Sequence, residues 1–142
     1  MATTRKATTH WEGNLLEGKG SVALESSGVG TFDVSWPSRA EAANGKTSPE
    51  ELIAAAHSSC YSMALSHALA QAGTPPQQVE TSAEVTFQPG TGITGIHLTV
   101  TATVPGLDAE GFAAAAEGAK ENCPVSKALA GTEITLTAEL QA

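Results

Sequence analysis

Between Thr47 and Pro76 the sequence specifies a long helix at both of its ends, and whatever fold the chain adopts has to enclose it. In Thr47-Ser48-Pro49-Glu50-Glu51, Ser48 suits the N-cap, and Pro49 suits the first helical position, where a missing N–H removes nothing. Glu51 then falls at the third position of a capping box. The helix is expected to run to about Gln71, stopped by Gly73 with Pro75-Pro76 beyond. Leu52 to Ala56 is apolar on every side, which predicts that the first half of the helix is buried all round.

The elements around it follow from periodicity. Val79, Thr81, Ala83, Val85 and Phe87 alternate with Glu80, Ser82, Glu84 and Thr86, the period of a strand with one wet face. Ile96 to Val104 and Ile134 to Leu140 repeat the pattern against His97 and a ladder of threonines. Weaker strands are expected near Thr8 to Glu12, Lys19 to Ser26 and Phe32 to Trp36, separated by glycine-containing turns. One-sided strands suit an antiparallel sheet covered on a single face by helices. A second helix is expected from about Asp108 to Glu121. A short third one should begin at Pro124 and end before Gly131, with Cys123 in its N-cap position. No internal repeat, linker or change of composition marks a boundary, so the expectation is a single domain over residues 1–142. Its class is α+β, with antiparallel sheets and a long central buried helix.

Charge narrows the partners. Seven Lys plus Arg against fifteen Asp plus Glu leave a net charge of −8 with no basic run. Nucleic acid and anionic membrane surfaces both require a positive patch, and both are set aside. No apolar stretch approaches the roughly 20 residues that span a bilayer, and Met-Ala-Thr-Thr-Arg-Lys lacks the apolar core of a signal peptide. The expected location is cytoplasmic. In that reducing compartment, two cysteines suggest catalysis or metal binding more than a permanent staple.

Cys60 lies mid-helix in His57-Ser58-Ser59-Cys60-Tyr61-Ser62-Met63, where a cysteine commonly acts as a small core hydrophobe. Cys123 precedes Pro124 at a helix start, where free N–H groups and the positive end of the dipole favour a thiolate. Dipole reasoning alone therefore makes Cys123 the better nucleophile. Cys60 would need a cation from elsewhere. Of the two arginines, Arg5 and Arg39, the one expected to serve it is Arg39, in the loop between Trp36 and the long helix.

At these residues a family pattern emerges. The stretches His10-Trp11-Glu12-Gly13 and Gly18-Lys19-Gly20, the run from Ser48-Pro49-Glu50-Glu51-Leu52-Ile53-Ala54-Ala55-Ala56-His57 to Cys60, and Asn122-Cys123-Pro124-Val125-Ser126 together span essentially the whole chain. They resemble the osmotically inducible protein C and organic hydroperoxide resistance (OsmC/Ohr) family, and the N-terminal Trp and Gly pattern resembles its OsmC branch. The resemblance implies a thiol-dependent peroxidase and an intertwined homodimer, with Cys60 matching the peroxidatic cysteine and Cys123 the resolving one. It also implies an arginine and a glutamate at the site, which fall on Arg39 and Glu50. No metal or bound cofactor is implied, and the reductant would be an external dithiol of the lipoyl type. Against the dipole argument, the family gives the attack to Cys60, where a guanidinium contact away from water can lower a thiol pKa more than a helix end.

Helix geometry adds a step. Ten residues separate Glu50 from Cys60, a rise of about 15 Å and a net rotation of about 80°. Glu50 therefore cannot reach Cys60 of its own straight helix, even through Arg39, unless that side chain is fully stretched. An antiparallel copy would bring the partner's helix start beside Cys60, so each site is expected to be shared, with both cysteines from one subunit and Arg39 and Glu50 from the other. A helix rich in Ala, Leu and Met favours organic hydroperoxides over hydrogen peroxide.

The remaining polar residues carry less. His57, three positions before Cys60, could pair with it, but a hydrogen-bonded helix histidine is the expectation. His67 lies on the same side, and His10 and His97 fall on strands. Without C-x-x-C or H-x-x-x-H no metal site is expected. The competing functions are a small-molecule or lipid-binding dimer with inert cysteines, and a hydroperoxide sensor without turnover.

Overall fold

The structure is a computed structural model that describes residues 1–141. The chain gathers into two compact units, Met1–Leu52 and Ile53–Ala142.

The first unit is a three-stranded antiparallel sheet of β1 (Thr8–Glu12), β2 (Lys19–Ala23) and β3 (Thr31–Val34), in that order. Its glycine pattern has a steric cause. Trp11 lies opposite Gly20 in the β1–β2 register, and a Cβ at Gly20 would stand 2.6 Å from the Trp11 ring. The expected strand through Trp36 ends early, because Trp36 opens a short helix, α1 (Trp36–Ala40). Ser35 caps it in a reciprocal box with Ser38, and Pro37 occupies its first turn. Arg39 thus sits on a helix and not in a loop.

Helix α2 (Pro49–Gln71) has the predicted limits. The Glu51 amide donates to Ser48 Oγ at 3.1 Å, whereas the Glu51 carboxylate accepts from the Thr47 hydroxyl. At the other end Gly73 adopts φ +92°. There the Gly73 amide donates to Ala70 O at 3.0 Å and the Thr74 amide to Leu69 O at 2.9 Å, the paired bonds of a Schellman stop.

The second unit holds β4 (Gln78–Gln88), β5 (Gly92–Thr103), α3 (Ala109–Asn122), α4 (Pro124–Ala128) and β6 (Ile134–Gln141). The sheet order is β4-β5-β6. Antiparallel pairing holds for β4 with β5, but β6 runs parallel to β5. The helices between them form the long crossover that a parallel pair requires, where β4 and β5 need only a tight turn. Inner-face residues of β5 (Ile96, Leu98, Val100, Ala102) join Tyr61, Leu65 and Leu69 of α2 and Phe112, Ala116 and Ala119 of α3 in one core cluster.

The expectation that Leu52–Ala56 is buried all round does not hold in this single chain, because Ala55 and Ala56 are exposed. On α2 the buried row is His57, Tyr61, Leu65 and Leu69, at successive steps of four residues. The opposite row, Ala56, Ser59, Met63 and His67, is exposed.

Candidate active site

Proline chemistry places Cys123. A residue before proline is pushed out of the helical region, and Cys123 adopts φ −56°, ψ 127° between the end of α3 and the start of α4. Its amide still closes α3 by donating to Ala119 O at 2.9 Å, while its side chain turns inward and is fully buried. Cys60, partly exposed on α2, meets it there. The two thiols are free, and Cys123 Sγ donates to Cys60 Sγ at 3.0 Å. Neighbouring bonds anchor this approach. Tyr61 donates its hydroxyl to Ala116 O at 2.9 Å, tying α2 to α3, and His57 Nε2 and Ser126 Oγ lie 2.7 Å apart, tying α2 to α4.

Cys123 occupies the N-cap position as expected, but its sulfur caps nothing. The first-turn amide of α4 that finds a thiol is Val125 N–H, and the thiol is that of Cys60. The start of α4 therefore acts on the Cys60 thiol through this amide, whereas the Cys123 side chain makes no cap hydrogen bond. Burial is the largest influence on Cys60 and pushes its thiol above the ordinary range; the neighbouring Cys123 acts in the same direction, and the Val125 amide pulls it back. Burial also pushes the Tyr61 phenol up and the His57 imidazole down.

Arg39 and Glu50 form a pair within the first unit. Arg39 Nε donates to Glu50 Oε1 at 3.0 Å and to Oε2 at 3.1 Å, and Nη2 donates to Oε2 at 2.9 Å. The Glu50 carboxylate is buried, so the guanidinium is held in one orientation by a fork-shaped contact. Arg39 also lines an apolar groove of about 350 Å³ with Trp11, Leu15, Trp36 and Leu52.

His57 is hydrogen-bonded as expected. His97 bonds Thr135 and Thr137 on the outer sheet face, and His10 bonds Glu12. No group of three or more metal-type ligands converges among the described residues, and none of their helices is long and apolar enough to cross a membrane. Val125 and Ser126 are the participants that sequence reasoning missed. Both stand in the Cys123 motif, but nothing local to that motif points to Cys60 or His57.

Comparison with known proteins agrees over the full length. Residues 42–139 match the family model described as OsmC-like protein. The chain is 42% identical over 144 residues to peroxiredoxin OsmC of Escherichia coli (strain K12), covering 99% of each. It is similar to the crystal structure of the organic hydroperoxide resistance protein OhrB of Bacillus subtilis, with TM-score 0.66, 28% identity and 98% of each chain covered. An OsmC-like protein of Mycoplasma pneumoniae shares the fold at 11% identity, with TM-score 0.75 and both chains fully covered. On these matches, the chain belongs to the OsmC family.

Proposed function

We propose that Cys60 is the peroxidatic thiol and Cys123 the resolving thiol of an enzyme that reduces organic hydroperoxides. The chain is a thiol-dependent peroxidase, in keeping with relatives named peroxiredoxin OsmC and organic hydroperoxide resistance protein. The observation that carries the residue assignment is the pairing of two free thiols 3.0 Å apart, one partly exposed and one fully buried. A peroxide from solvent can reach Cys60. Cys123 is shielded from it but already in contact with the sulfur it must trap.

In the first step the Cys60 thiolate attacks the distal peroxide oxygen. The O–O bond breaks, the alkoxide takes a proton and leaves as the alcohol, and Cys60 becomes a sulfenic acid. Cys123 then attacks that sulfur, the S–O bond breaks, and the Cys123 proton leaves with the hydroxyl as water, forming the disulfide. An external dithiol, of the lipoyl type, exchanges with the disulfide and restores both thiols. No metal or bound cofactor enters this chemistry.

Arg39 stabilises the thiolate and polarises the peroxide, with Glu50 fixing its fork. They act on the partner subunit's Cys60 in a homodimer of one OsmC-like domain per chain. Two observations support this. Residues 50 and 60 share one uninterrupted helix, about 15 Å apart along its axis. The exposed α2 row of Ala56, Ser59, Met63 and His67, with Met63 its large apolar side chain, also leaves a face of the helix open to a second copy. We place the enzyme in the cytoplasm, the reducing compartment in which a cysteine pair is used for catalysis more often than as a permanent staple.

The test is one equivalent of an alkyl hydroperoxide in a single turnover. Wild-type protein should lose both thiols within seconds. Cys60→Ser should be inert, and Cys123→Ser should reduce one equivalent and trap Cys60 as a sulfenic acid, which excess peroxide would oxidise further. An inert Cys123→Ser beside a reactive Cys60→Ser would reverse the assignment. Intact thiols in the wild type would favour a binding protein.

A further inference from the structure

We propose that the buried hydrogen bond between His57 and Ser126 is a positioning device that keeps Cys123 within reach of Cys60 while the Cys60 sulfur is oxidised. The bond joins residues 69 apart in the chain, at 2.7 Å, with His57 fully buried and Ser126 nearly so. The proposal rests on the peroxidase reading above and extends it to residues that act through the thiols without touching substrate.

The argument starts from α4. At five residues it is far too short to persist by its own hydrogen bonds, yet its start carries the resolving thiol. Among the described residues, three polar links tie this segment to α2: Cys123 Sγ to Cys60 Sγ, Val125 N–H to Cys60, and Ser126 to His57. The first two end on the sulfur that changes chemically. When Cys60 becomes a sulfenic acid, it is larger, its acceptor geometry differs, and both links must rearrange. The Ser126–His57 bond is untouched by that change. It is the polar tether that remains while Cys123 closes on the oxidised sulfur.

The residue type at 57 supports the same conclusion. His57 continues the buried row of Tyr61, Leu65 and Leu69, where a leucine would fill the space with no polar atom. The imidazole instead leaves Nδ1 buried with no hydrogen-bond partner among the described residues, an arrangement less favourable for folding than an apolar side chain. What the ring gains in return is the bond from Nε2 to Ser126. A loss of sub-ångström positioning between two reacting sulfurs should appear in the rate of disulfide closure.

The experiment separates the two chemical steps in a single turnover, following sulfenic acid formation with a dione trap and disulfide closure by loss of free thiol. Ser126→Ala should slow closure by about tenfold to a hundredfold relative to wild type, with a smaller effect on sulfenic acid formation and with Cys60 accumulating as sulfinic acid at excess peroxide. Ser126→Thr, which keeps the hydroxyl, should restore closure. His57→Gln, whose amide can still bond Ser126, should close faster than His57→Leu. Closure at the wild-type rate in Ser126→Ala, or slowing of both steps by one common factor, would overturn the proposal and leave the peroxidase standing. If wild-type protein forms no disulfide at all, the thiol assignment and the tether fall together.

Discussion

The two compact units of this protein are built on opposite principles. Residues from Ile53 onward bury Tyr61, Leu65, Leu98, Val100 and Phe112 essentially completely, in a core of helix and sheet side chains. In Met1–Leu52, Val22 is the buried apolar side chain among the described residues, and Trp11, Leu15 and Phe32 are exposed. A unit of about fifty residues with so little buried apolar surface lacks the means to be stable alone. Yet it contains the bidentate Arg39–Glu50 pair, while the packed unit contains the thiols. The difference teaches a division of labour. The two thiols sit in or against the packed core, and the Arg39–Glu50 pair sits in the unit with little core of its own; under the reading proposed above, the sulfurs that react are held by packing and the charge that would activate them is supplied by association.

That contrast breaks most visibly under core truncation. Leu98→Ala should destabilise the protein by about 2–5 kcal/mol, measured by urea denaturation. Phe32→Ser in the first unit should change stability little at high protein concentration and instead raise the concentration at which the proposed homodimer dissociates in sedimentation. Equal losses of stability from both substitutions would erase the distinction between the units.

Next in size is the charge. Arg39→Ala should slow Cys60 oxidation by about a hundredfold, and Glu50→Gln by less, because the guanidinium stays but loses its fixed orientation. Mixing inactive Cys60→Ser subunits with inactive Arg39→Ala subunits should restore activity, since half of the random dimers are mixed and each holds one working site of two. Recovery should approach about a quarter of the wild-type level. A mixture that remains inactive after subunit exchange is verified by mass spectrometry would assign Arg39 to the Cys60 of its own chain.

The smallest effect concerns acid. Burial lowers the His57 pKa below its ordinary 6.5, so the unfolded chain takes up a proton at a pH where the native protein does not. Stability from this residue is therefore fully present above about pH 6.5 and is lost as pH falls toward the depressed native value, by at most about 1.4 kcal/mol per pH unit. Urea denaturation from pH 7.5 to 5.5 should show a steeper acid loss in wild type than in His57→Gln. Equal slopes would remove His57 from the acid response.

Much of this was legible in one dimension because it depends on neighbours along the chain. The limits of α2 were readable from Ser48, Pro49 and Gly73, whose capping roles are local, and the strands from their two-residue period. Trp36 was misjudged because a Ser35–Ser38 capping box outweighs the strand period that precedes it. The parallel register of β6 was not readable, since a period of two is the same for either strand direction. Nor was the exposed face of α2, because a stretch apolar on every side cannot reveal which side a single chain leaves uncovered.

The cysteine motifs, with Arg39 and Glu50 beside them, were recognisable from the sequence by itself, as were the helix that carries Cys60 and the turn that proline forces at Cys123. Only the tertiary structure decided what those groups touch. It turned the Cys123 sulfur away from its own helix start and toward Cys60, aimed the Val125 amide at Cys60, and joined His57 to Ser126 across 69 residues. Capping and period act within a few residues and are written locally, whereas the meeting of two sulfurs depends on how α2, α3 and α4 pack, which no short stretch of sequence contains.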